Sequence, residues 1–223
     1  MRVFFEVDTQ VDFMMSAGAL YVPGAEALIP VITQLTELAN KYSIQILGSM
    51  DRHYGDEEHK STEGELSRWG GPFPDHCMDE TEGQEHVLSE DVLARTIMYV
   101  PFDGIDDDND NDRDIEGISI LTRGRPTYFE KQTYDVFTNP YLVSTLKRLD
   151  VTEAIVYGVA TDFCVKAAVR GLRKLAISTL FVVDAIAAVT PEGGEEAARQ
   201  MIRMGAMPIS SSAVMDAMKA IYE

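Results

Sequence analysis

Short continuous apolar runs alternate with longer stretches at helical spacing along this 223-residue chain. Residues 3–7 are apolar apart from Glu6, and further runs lie at 44–48, 154–157 and 178–183. Runs without in/out alternation are what strands buried on both faces of a parallel sheet require. Between them, the segment 26–42 places Leu28, Val31, Ile32, Leu35 and Leu38 on one helical face, and 140–149 does the same with Leu142, Leu146 and Leu149. The pattern also predicts helices at 88–94 and 192–204 and from Ser212, a strand at 96–100, apolar pieces at 118–121 and 127–129, and an extension at 207–209. Alternation of this kind predicts one α/β domain over 1–223, a three-layer α/β/α arrangement around a parallel sheet. Such Rossmann-like sheets bind ligands beyond the carboxyl ends of their strands. Asp8, Asp51, Lys131 and Cys164 all follow predicted strands at that edge.

The last of these has the most suggestive surroundings. Tyr157-Gly158-Val159-Ala160-Thr161-Asp162-Phe163-Cys164-Val165 takes a strand through small residues into a helix, with Thr161 or Asp162 available as N-cap. A thiol in a first helical turn faces unpaired N–H groups and the positive end of the dipole, which favour thiolate and can also hold an oxyanion. A lone cysteine is more often an inert space-filler. Asp8 and Lys131 at neighbouring strand ends shift the balance, because a carboxylate can take the thiol proton while an ammonium stabilises both partners. No comparable Cys–His pair is in view.

Composition narrows the partners. A formal charge of −18 leaves no clustered cation for a nucleic-acid backbone or an anionic membrane. Two cysteines, Cys77 and Cys164, make no disulfide scaffold, and with no apolar run of membrane-spanning length a cytoplasmic, reducing compartment is expected. The Asp-rich run 103–116 has the composition of a calcium loop without its spacing, so it reads as a solvated acidic insertion.

Three of the four histidines, His53, His59 and His76, fall within or beside the aperiodic segment 54–83. A loop that long in a compact domain is functional or disordered, and ligand duty would explain the concentration. Asp51, His53 and His76 form a plausible set for a first-row divalent ion with open positions for water or substrate, and His59 is an alternate fourth ligand.

Together, Asp8-x-Gln10-x-Asp12-Phe13, Asp51-x-His53 with His59, Pro74-x-His76-Cys77, Lys131 and Gly158-Val159-Ala160-Thr161-Asp162-x-Cys164-Val165 resemble the isochorismatase-like cysteine hydrolases, and within them the nicotinamidases. The resemblance runs in order from about residue 3 to residue 190. It implies a six-stranded parallel sheet, a triad of Asp8, Lys131 and Cys164, and a cis peptide between Val159 and Ala160 with the Ala160 and Cys164 amides as oxyanion hole. It further implies zinc, or iron or manganese, on Asp51, His53 and His76, with Phe13, Phe73 and Val159 around a small amide substrate such as nicotinamide. A homo-oligomer is the expected assembly. Alternatives are a carbamoyl or ureido amidase of the same superfamily, or a noncatalytic oligomeric binding protein on the same fold. The chain departs from the family pattern in four places: Glu80 and Gln132 occupy positions where glycine is usual, Phe73 stands where tryptophan is frequent, and His76 and Lys131 are separated by a longer stretch that includes the acidic run.

Overall fold

The computed structural model describes residues 1–61, 63–93, 97–102 and 124–223. The acidic run 103–116 and the apolar piece 118–121 lie outside the described residues. Seven strands form one sheet: β1 (Arg2–Val7), β2 (Gln45–Asp51), β3 (Met98–Val100), β4 (Thr127–Lys131), β5 (Glu153–Val159), β6 (Ser178–Ala187) and β7 (Met207–Ile209). Their spatial order is β3-β4-β2-β1-β5-β6-β7, and every pairing is parallel. The sheet expected from the resemblance had six strands. The short Met207–Ile209 extension is the edge strand beside β6, pairing Leu180 with Met207 and Val182 with Ile209. Pro208 lacks an N–H, which suits this edge position.

Among the described residues the helices are α1 (Val11–Met14), α2 (Ile29–Lys41), α3 (Glu90–Leu93), α4 (Leu142–Arg148), α5 (Lys166–Lys174), α6 (Pro191–Arg203) and α7 (Ser211–Tyr222). Alternate residues of the central strands feed two separate cores. Phe5, Val7, Phe129 and Val156 pack with Leu146 of α4, Leu172 of α5 and Met201 of α6. Phe4, Ile155 and Tyr157 pack on the opposite face with Ile32 and Leu35 of α2 and Val214 of α7. Both faces of the sheet are therefore covered, which is why its strands read as unbroken apolar runs. Among the described residues, no helix is long and apolar enough to cross a membrane.

The order places β4, β2, β1 and β5 side by side at the centre. Successive strands are added on one side of β1 as far as β4 and on the other from β5 onward, so the switch point lies between β1 and β5. Gly158, at φ 116°, allows the approach of β5 to β1 there, since a Cβ would lie 2.8 Å from Val7 N.

Candidate active site

The carboxyl ends of the four central strands deliver the reactive groups that the sequence singled out. Asp8 follows β1 with φ 48°, its N–H donating to Ser49 O at 3.0 Å and its Oδ1 accepting from Ser49 Oγ at 2.7 Å. Lys131 closes β4 and is fully buried. Its ammonium hydrogen-bonds Asp51, lies 2.9 Å from Asp8 Oδ2, and donates to Cys164 Sγ at 3.7 Å. The Asp8 carboxyl meets both the Lys131 ammonium and the Cys164 thiol, which places it to take the thiol proton.

Cys164 sits in a π-helical turn, Thr161–Val165, that leads into α5. The peptide bond between Val159 and Ala160 is cis, as the resemblance implies. Neither Thr161 nor Asp162 caps the helix. The N-cap is Ala160, which uses no side chain, while Asp162 turns outward to accept from Val189 N at 3.0 Å and Thr190 N at 3.4 Å. The expected bias toward thiolate is also reversed. Burial pushes the Cys164 thiol well above its ordinary range, Lys131 pulls it down, and the Asp8 and Asp51 charges push it up again. Lys131 itself is lifted: burial opposes its charge, but the Asp51 and Asp8 carboxylates outweigh that. Asp8 is raised by burial against the pull of Lys131. The site therefore sets the Lys131 side chain and the Cys164 thiol against Asp8, which is placed to take the thiol's proton.

The second cluster lies across the same sheet edge. One donor atom each from Asp51, His53, Glu65 and His76 all fall within 4.8 Å of one another, and all four residues are buried. The outer nitrogen of each ring is held by an acceptor. His53 Nδ1 is 2.7 Å from Glu63 Oε2, and His76 Nδ1 donates to Pro74 O at 2.7 Å. That leaves both Nε2 atoms directed at Asp51 Oδ2, from 3.8 Å and 3.6 Å. His53 Nε2 is buried with no hydrogen-bond partner. A buried orphan nitrogen beside a carboxylate, with outer acceptors fixing the tautomers, is the arrangement a divalent ion requires, and the residues present fit one.

His59 is not brought to this cluster. A short 3-10 turn, His59–Ser61, carries its ring onto Tyr54, at 4.0 Å between centroids, and its Nδ1 lies 2.8 Å from Asp56. Glu65 takes the fourth place instead, its Oε1 accepting from Tyr134 N at 2.6 Å. Glu63 likewise went unread; it accepts from Tyr54 N at 2.6 Å and Gln132 Nε2 at 2.8 Å while holding His53. Both glutamates lie in an aperiodic loop, where no pattern marks an inward side chain. The atypical Gln132 is thus part of the support for His53. Glu80, another of the departures, adopts φ 59°, which accounts for the usual glycine. Gln10 grips Asp51 by both backbone groups, with Nε2 donating to Asp51 O at 2.8 Å and Oε1 accepting from Asp51 N at 2.7 Å.

Between the two clusters lies a cavity of about 110 Å³. Phe13, Phe73, Val159 and Ala160 line it, together with Tyr134 and Phe163. The rings of Phe13 and Phe73 stand 5.5 Å and 6.1 Å from that of His76. Asp8, Asp51, Glu65 and Cys164 supply its polar edge, and no Lys or Arg is among its described lining residues.

Comparison with known proteins agrees with this architecture. The isochorismatase domain family matches residues 117–213. The nicotinamidase of Escherichia coli K12 is 26% identical over 92% of both chains, and the nicotinamidase/pyrazinamidase of Mycobacterium tuberculosis H37Rv is 26% identical over 90% of this chain and 94% of its own. Among solved structures, the zinc complex of Pyrococcus horikoshii pyrazinamidase superposes with a TM-score of 0.71 at 23% identity, covering 94% of this chain and 98% of that one. The chain is therefore similar to isochorismatase-family hydrolases, nicotinamidases among them, and the fold is shared.

Proposed function

We propose that the protein is a metal-dependent cysteine amidohydrolase that converts nicotinamide to nicotinate and ammonia. The observation that carries this reading is the pairing of two clusters across one small aromatic cavity: Asp8, Lys131 and Cys164 on one side, and Asp51, His53, His76 and Glu65 on the other. The similarity to nicotinamidases supports it.

In this mechanism Cys164 Sγ forms a bond to the carboxamide carbon as its proton passes to Asp8. The carbonyl oxygen becomes an oxyanion against the Ala160 and Cys164 amides. Asp8 returns the proton to the nitrogen, the C–N bond breaks, and ammonia leaves a thioester. Water then adds to the thioester with Asp8 as base, and the C–S bond breaks to release nicotinate and the thiol. Lys131 stays charged throughout and holds Asp8 toward the sulfur. A divalent ion such as zinc, iron or manganese, when held by Asp51, His53, Glu65 and His76, supplies a Lewis acid for the pyridine nitrogen. Phe13 and Phe73 confine the ring, and Val159 bounds it from the β5 end.

The carbamoyl or ureido reading is weaker because it has no use for the buried Asp51, His53, Glu65 and His76 cluster beside the cavity. The test is ammonia release from nicotinamide, pyrazinamide, N-carbamoylsarcosine and ureidoacrylate by metal-loaded protein. Turnover confined to the two pyridine-type amides, and lost in Cys164→Ala, is expected. Turnover of the ureido and carbamoyl acids alone, or a Cys164→Ala variant that keeps its rate, overturns the reading.

A further inference from the structure

Glu6 breaks the apolar run of β1, yet its side chain is wholly buried in the central strand. A lone carboxylate there would be costly, and three groups compensate it. Tyr128 Oη donates to Oε2 at 2.7 Å, Thr9 Oγ1 donates to Oε1 at 2.8 Å, and His86 Nε2 lies 3.2 Å from Oε1. Tyr128 reaches Glu6 from β4 by crossing β2 at Gly48, where a Cβ would stand 2.7 Å from its ring. The tautomer of His86 follows from its surroundings. Leu88 N–H donates to Nδ1 at 3.0 Å, so the proton sits on Nε2, which points at Glu6 Oε1 and at Thr9 Oγ1, 2.9 Å away.

Thr9 lies between Asp8, in its left-handed conformation, and Gln10, which grips Asp51. The backbone on either side is stitched to the segment that carries His86. Val87 N donates to Thr9 O at 2.8 Å, Val11 N donates to Glu85 O at 2.9 Å, and Gln10 Nε2 donates to Gln84 O at 2.9 Å. We propose that Glu6, Thr9 and His86 are positioning residues, a buried network that fixes the turn after β1 and through it aims Asp8 at Cys164. An apolar trio would fill the same space without charge, and such replacements of buried ionic groups are often neutral or stabilising. What the polar network adds is direction, because it ties Thr9, the residue next to Asp8, to Glu6 and to His86.

This inference rests on Asp8 acting as proton acceptor, and its test has one readout that needs no substrate. Glu6→Val/His86→Phe replaces the hydrogen-bonded pair with apolar groups, Thr9→Val removes only the link, and His86→Gln keeps a donor near the Nε2 position. At matched metal content, the first two variants are expected to lose about tenfold to a hundredfold in kcat with KM little changed. Because the Asp8 charge raises the Cys164 thiol, an Asp8 that swings away lets iodoacetamide alkylate Cys164 several-fold faster near pH 8. His86→Gln should restore both properties in large part. A folded Thr9→Val variant with unchanged kcat and an unchanged alkylation pH profile overturns the proposal, whether or not the double variant folds. Faster alkylation in Thr9→Val upholds it even where nicotinamide proves not to be the substrate.

Discussion

The Lys131 ammonium lies 2.9 Å from the Asp8 carboxylate, and because it also hydrogen-bonds Asp51 it is a single buried cation shared by both halves of the site. Neither half is electrostatically complete without it. Its register explains the placement: Lys131 pairs with Asp51 across β4 and β2, so the bridge is built into the sheet.

Lys131→Met should therefore damage folding as well as turnover. Removing one partner of a buried ionic cluster leaves uncompensated charge and costs about 3–5 kcal/mol. Urea unfolding is expected to show a loss of that size, and Asp8→Asn in the same chain should recover part of it. Additive destabilisation by the two substitutions would refute the shared-cation account.

Asp8→Asn alone separates chemistry from thiol reactivity. Burial raises the Cys164 thiol first, Lys131 lowers it, and the Asp8 charge raises it further. Neutralising residue 8 removes a term that disfavours thiolate, so the thiol titrates at lower pH and the alkylation profile moves toward neutrality. Ammonia release should nonetheless fall by about two to four orders of magnitude, the usual contribution of a positioned acid–base group. A variant that loses both turnover and alkylation would mean that Asp8 supports the sulfur instead of exchanging a proton with it.

Much of this arrangement was legible in the sequence because it depends on strand ends. A buried parallel strand announces itself as an apolar run, and the residue after it is placed at the ligand-binding edge by topology alone. Asp8, Asp51, Lys131 and Cys164 were found that way. Side chains on the 54–83 loop could not be found so, since no period says which of them turn inward. His59 and Glu65 are chemically comparable ligands six residues apart, and only the local turn at His59–Ser61 sends one out and leaves the other in. The outward turn of Asp162 and the raised thiol of Cys164 were hidden for a related reason: each depends on neighbours distant in sequence, Val189 and Thr190 for the first, Lys131 and the acids for the second.

The choice of Glu65 over His59 is directly measurable. Glu65→Gln should lower metal affinity and metal retention through purification, whereas His59→Ala should retain wild-type metal content. Glu63→Gln is expected to lower affinity by about 10–100-fold, the usual effect of removing a carboxylate that orients a ligating imidazole. Metal analysis after dialysis against a chelator reads all three. Loss of the ion in His59→Ala with retention in Glu65→Gln would restore the assignment first read from the sequence.

Gly48 provides a test that joins packing to the site. It lies in β2 opposite Glu6 of β1 and Tyr128 of β4, at the point where the tyrosine crosses the sheet. A methyl group there would fall within contact distance of Glu6 O, which is backbone and cannot rotate away, and 2.7 Å from Tyr128 Cδ1. Gly48→Ala must then push β1 from β2 and also displace the Tyr128 ring, straining its bond to Glu6. Overpacking of this kind costs about 1–3 kcal/mol, which a shift in the urea midpoint would register. Gly64, where a methyl group would meet nothing within 4 Å, serves as the comparison and should stay within about 0.5 kcal/mol of the parent. Because Asp8 and Asp51 extend from the same two strands and share Lys131, a wider β1–β2 spacing should also lower turnover in Gly48→Ala. Stability lost with turnover intact would show that the site tolerates a wider β1–β2 spacing.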